Sequence, residues 1–168
     1  HNICVIAPEA LSRFYLEDVL SRSQSGNNRV GATWMTKENR VMDIENYLHY
    51  LDAVALHELK EFKELPVTVL GFSQGAATAS RWILNGNILP KRLILWAGIF
   101  PHDMDVKSGK EILKTIKTTV VYGEVDPFLN DDRFAEMNLL TNKLNIKPDV
   151  YSYVGGHEIH EETLLKLI

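Results

Sequence analysis

The stretch Leu70-Gly71-Phe72-Ser73-Gln74-Gly75-Ala76-Ala77 decides how this 168-residue chain reads. It joins the apolar run Val67-Thr68-Val69-Leu70 to a run of small helix formers that starts at Gly75. A strand that stops at a serine and passes at once into a helix makes a sharp turn. That turn lifts the serine Oγ off the sheet and sets it at a helix N-terminus. Gly71 and Gly75 carry no Cβ, so neighbouring backbone can approach the crowded turn. The pattern G-x-S-x-G arises by chance in roughly 5% of chains of this length. Its strand–turn–helix setting is what gives it weight.

Working outward, the apolar runs alternate with helical spacing. Ile3-Cys4-Val5-Ile6-Ala7 is apolar and β-branched and is closed by Pro8, which predicts a buried strand of parallel-sheet type. Cys4, the one cysteine, falls in that run and is expected to be a buried structural thiol. Residues 9–33 are irregular. Ser12, Ser21, Ser23, Ser25, Gly26, Asn27 and Asn28 mark loops around a short hairpin through Phe14-Tyr15-Leu16. Ser21 to Asn28 is also compatible with a disordered linker. Val41, Ile44, Leu48, Leu51, Ala55, Leu59 and Phe62 recur at i, i+3/i+4 and predict a long helix over Glu38–Phe62. Strands are expected at Val67–Leu70, Leu93–Ala97, Thr118–Tyr122 and Asp149–Val154. Helices are expected at Gly75–Leu84, Glu111–Lys114, Asp131–Leu144 and His160–Ile168. Strands joined through helices by short loops mean a mostly parallel sheet with helices on both faces, an α/β fold in a single domain.

Ligands of such sheets sit beyond the C-terminal strand ends. Ser73 follows one strand, Gly123-Glu124-Val125-Asp126-Pro127 another, and Gly155-Gly156-His157 a third. A serine hydroxyl needs a base to take its proton, and the base needs an acid to fix its tautomer and stabilise the imidazolium. Ser73, Asp126 and His157 supply these in the order serine, acid, histidine. Each has a plainer alternative: Ser73 as a helix cap, Asp126 as a turn initiator before Pro127, His157 as a surface-loop histidine. Glu124 competes for the acid role but lies two residues nearer the strand. An oxyanion donor is available in the backbone N–H of Gln74. A second donor normally comes from a loop after an earlier strand, and no H-G-G-type loop occurs in the chain. Trp34, Met35, Ile99, Phe100, Phe128 and Leu129 are candidate acyl-pocket residues.

With these residues assembled, the chain resembles the phospholipase/carboxylesterase group of α/β-hydrolases, relatives of the acyl-protein thioesterases. Gly71-Phe72-Ser73-Gln74-Gly75 is similar to that group's G-F-S-Q-G elbow. Gly123 to Leu129 is similar to its acid loop, Gly156-His157-Glu158 to its histidine loop, and Ile6-Ala7-Pro8 to a strand ending in A-P. The resemblance implies the α/β-hydrolase fold and a serine hydrolase that cleaves carboxylic esters or thioesters. The substrate would be a small or medium acyl ester, with no cofactor. The group also carries an earlier strand ending in an H-G-x-G-like loop, placed between the Ile3–Ala7 and Val67–Leu70 strands. The chain opens at His1 without that strand, so it is expected to be the remainder of a longer polypeptide. A non-catalytic α/β-hydrolase-like binding protein is the alternative.

The net charge of −4 offers no electrostatic attraction for nucleic acid or an anionic membrane. No apolar run approaches the ~20 residues of a membrane span. No signal peptide is visible, and a cytoplasmic location is the expectation. His157-Glu158-Ile159-His160 spaces its histidines three apart, not the four a helical zinc motif requires, so no metal is expected.

Overall fold

The computed structural model describes residues 3–25, 28–62 and 64–168. Gly26 and Asn27, part of the loop reading, lie outside the described residues. The chain forms two compact units, His1–Phe62 and Lys63–Ile168.

In the first unit, β1 (Ser12–Tyr15) pairs antiparallel with β2 (Val30–Thr33), with Ser12 opposite Thr33 and Tyr15 opposite Val30. The short hairpin expected through Phe14-Tyr15-Leu16 is instead a wide pair: β1 ends at Tyr15, and its partner strand begins only at Val30. Its connection carries a helix, α1 (Val19–Ser25), over part of the stretch compatible with a linker. Asp18 starts it: one carboxylate oxygen accepts from the N–H groups of Leu20 at 2.9 Å and Ser21 at 3.0 Å. The long helix α2 spans Arg40–Glu58 and gives way to a turn in which Phe62 N–H donates to Leu59 O. Its buried residues are Tyr47 and Leu51, while Val41 is exposed, so the apolar stripe is shorter than its spacing suggested. Trp34 packs edge-on against Tyr47 at 6.1 Å, and Asp43 accepts from Thr36 N–H at 2.8 Å.

Ile3–Ala7 is not a strand, and Cys4 is exposed. An apolar run becomes a strand only where its N–H and C=O groups find a ladder, and residues 3–7 pair with no strand among the described residues.

The second unit holds a parallel sheet in the order β3 (Thr68–Phe72), β4 (Arg92–Trp96), β5 (Lys117–Gly123), β6 (Asp149–Tyr153). Thr68 lies opposite Arg92, Arg92 opposite Lys117, and Thr119 opposite Asp149. Each crossover advances one strand in the same direction. Right-handed crossovers then put every connecting helix on one face. The core agrees. Val69, Leu93, Leu95 and Val120 pack with residues of α3 (Gln74–Asn85), α4 (Val106–Leu113) and α5 (Asp131–Leu144). The alternate residues Ile94, Trp96, Val121 and Tyr153 form a second cluster with Leu164 and Leu167 of α6 (Glu161–Leu167). Helices therefore cover both faces, as an α/β-hydrolase sheet requires.

Candidate active site

The elbow is built by close backbone packing. A Cβ on Gly71 would stand 2.2 Å from the carbonyl oxygen of Gly75, and one on Gly98 would stand 2.6 Å from that of Ser73. Ser73 has φ 54° and ψ −118°, a conformation that costs on the order of 1–3 kcal/mol for a residue with a side chain. Two main-chain bonds hold it there. Ser73 N–H donates to Trp96 O at 2.8 Å, and Ala76 N–H donates to Ser73 O at 3.0 Å. The side chain of Ser73 makes no capping bond to α3. Its Oγ lies instead 2.9 Å from His157 Nε2. Gln74 follows the serine directly as the first residue of α3.

The acid and histidine loops interlock. Val125 N–H donates to Gly155 O at 3.1 Å, and Glu124 N–H to Tyr153 O at 2.9 Å. A Cβ on Gly123 would stand 2.3 Å from the carbonyl oxygens of both Gly155 and Gly156, so only glycine fits. Asp126 turns the chain into Pro127, with one carboxylate oxygen accepting from Phe128 N–H at 2.9 Å. The other lies 2.8 Å from His157 Nδ1, and the carboxylate is fully buried. A buried carboxylate needs donors, and these two supply them. The competing acid, Glu124, points elsewhere: Ser152 Oγ donates to it at 2.9 Å.

The two hydrogen bonds assign the imidazole. With the carboxylate accepting, Nδ1 carries the proton and Nε2 is left to accept from the Ser73 hydroxyl. Two aromatic rings flank it, Phe72 at 4.9 Å and Phe128 at 4.7 Å between centroids. His160 has different partners. Its Nδ1 lies 2.9 Å from Thr163 Oγ1 and its ring stacks on Tyr153 at 5.0 Å. Among the described residues no cluster of three or more His, Cys, Asp or Glu could hold a metal.

The proposed pocket residues scatter. Phe128 is 66% exposed beside His157, and Leu129 packs against the core. Ile99 and Phe100 are buried in the core with Ala76 and Met104 rather than set on an open wall, because two large apolar groups beside α3 gain most by leaving water. Trp34 and Met35 belong to the first unit. Sequence reasoning overlooked Phe72, Trp96 and Tyr153. Nothing in the sequence sets Tyr153 apart from Tyr151 two positions earlier; the structure does, with Tyr153 the one buried residue of β6.

Among the described residues no helix is long and apolar enough to cross a membrane. No curated protein matches the chain. Solved structures do. A carboxylesterase from Mesorhizobium loti aligns at TM-score 0.63 and 17% identity, over 82% of this chain and 66% of its own. Zea mays acyl-protein thioesterase 2 aligns at 0.61 and 16%, over 86% and 73%. An uncharacterized protein from Bacillus cereus aligns at 0.58 and 23%, over 74% of this chain; the chain spans 42% of that protein's length. At these identities the likeness establishes the α/β-hydrolase fold. The model of one family, described as serine hydrolase (FSH1), matches residues 3–163, nearly the whole chain. With the elbow, the buried carboxylate and the bridging imidazole in one place, the chain belongs to the serine hydrolase (FSH1) family.

Proposed function

We propose that the protein cleaves carboxylic esters or thioesters through an acyl-enzyme, with Ser73 as nucleophile, His157 as general base and then acid, and Asp126 as the group that orients and stabilises the imidazolium. The observation that carries this reading is the unbroken pair of contacts, 2.9 Å from Ser73 to His157 and 2.8 Å from His157 to Asp126. As Ser73 Oγ attacks the acyl carbonyl, its proton passes to His157 Nε2, and the carbonyl oxygen becomes an oxyanion. The backbone N–H of Gln74 is its donor. Collapse breaks the acyl–oxygen or acyl–sulfur bond, and His157 returns the proton to the departing alkoxide or thiolate. Water repeats the sequence and frees the acid and the serine. The exposed Phe128 beside the imidazole supports an open acyl site that takes small or medium acyl groups.

Substituting Ser73→Ala removes the nucleophile and should drop p-nitrophenyl ester turnover to background, a loss on the order of 10⁶-fold in kcat. Undiminished turnover in S73A ends this reading. A fluorophosphonate should label the wild type at Ser73 and leave S73A unlabelled. Since the chain has no H-G-G-type loop to give a second oxyanion donor, an unlabelled wild type would favour a binding role on the same fold.

A further inference from the structure

The peptide carbonyls on either side of His157 are both held from within the core. Tyr153 Oη lies 3.0 Å from the carbonyl oxygen of Gly156 and is also hydrogen-bonded to that of Glu158. Trp96 Nε1–H donates to the same Glu158 carbonyl at 2.9 Å and lies 3.4 Å from Tyr153 Oη. Trp96 is fully buried and Tyr153 nearly so, their rings 5.9 Å apart. The main-chain carbonyl of Trp96 is the acceptor that holds Ser73 N–H at 2.8 Å. One residue thus grips the nucleophile with its backbone and the histidine loop with its indole.

We propose that Trp96 and Tyr153 are positioning residues that set the reach of His157 to Ser73, by tying the two carbonyls that bracket the histidine to the end of β4, where the Trp96 carbonyl holds the serine N–H. Buried Trp and Tyr tips need partners in any core. Here their partners are the two carbonyls flanking one side chain, and a phenol has a single proton to share between them. Proton transfer is steep in distance: a misplacement near 1 Å can cost about 10²-fold. Without the hydroxyl, the loop between Tyr153 and Glu158 loses its inner tie while the ring still fills the core.

This inference rests on the proposed hydrolase reading, and the test separates the two. Tyr153→Phe should lower kcat about tenfold with KM within about twofold, and should slow fluorophosphonate labelling by the same factor. The NMR resonance of the His157 Nδ1 proton, held by Asp126, should broaden or vanish in Y153F. Tyr151→Phe, on the same strand but exposed, should change neither. Thermal melts establish that Y153F is folded at the assay temperature; if it is not, Trp96→Phe removes the other donor and is read the same way. Labelling rates within twofold of wild type with an unaltered imidazole resonance overturn the positioning role alone. A wild type that does not label overturns the hydrolase reading, and the resonance comparison then decides the positioning role by itself.

Discussion

Ile3-Cys4-Val5-Ile6-Ala7 and Leu93-Ile94-Leu95-Trp96-Ala97 read almost alike as sequence, and they end in opposite conditions. The second is the heart of the sheet: Leu93, Ile94, Leu95 and Trp96 are wholly buried, with β3 on one side and β5 on the other. The first has no strand and is open to solvent, Val5 at 80%. Apolar composition therefore permits a buried strand without producing one. The ladder on both edges and the helices over both faces are what turn the same residue types into core.

That contrast can be broken by substitution in pairs. Leu95→Ala should cost about 2–5 kcal/mol in chemical denaturation, from lost burial plus the cavity left in a packed region. Val5→Ala should cost less than about 0.5 kcal/mol, as for an exposed side chain. Equal costs would mean that residues 3–7 are packed in solution after all. A gentler pair sharpens the difference: Ile94→Val should cost about 0.5–1.5 kcal/mol, and Ile6→Val close to nothing on the same denaturant curve. The smallest effect is at Cys4. A maleimide should modify the native protein at a rate within a few-fold of a small free thiol, and Cys4→Ser should leave the melting temperature unmoved. A thiol protected until the protein unfolds would restore the buried-strand reading.

What could be read in advance divides along the same line. The helix expected at Asp131–Leu144 is found with those bounds, because its stops are local: Asn130 caps it by accepting from Arg133 N–H, and Asn145 ends it in the left-handed conformation. The strands at Leu93 and Thr118 were legible because their whole environment is apolar. The loops carrying Ser73, Asp126 and His157 were legible because glycines mark the places where backbones nearly touch. The fate of Ile3–Ala7 was not, since pairing depends on strands far away in the chain. The helix at Val19–Ser25 was missed behind its serines, although Asp18 offered the capping signal. Neither Trp96 nor Tyr153 announces a partner, for the indole bond to Glu158 spans 62 positions. Ile99 and Phe100 look the same in sequence whether they line a pocket or fill a core.

Because every crossover runs forward to the next strand, the polypeptide visits the two rims of the sheet in strict alternation. The turns after β3, β5 and β6 hold the reactive groups. Those after α3, α4 and α5, around Gly86–Lys91, Thr115–Ile116 and Asn145–Lys147, come out at the opposite rim. An affinity tag, a fluorophore or a surface tether grafted at Asn87 or Lys147 would sit a full strand length from the serine. Immobilised or labelled forms built that way should keep their chemistry facing outward into the medium.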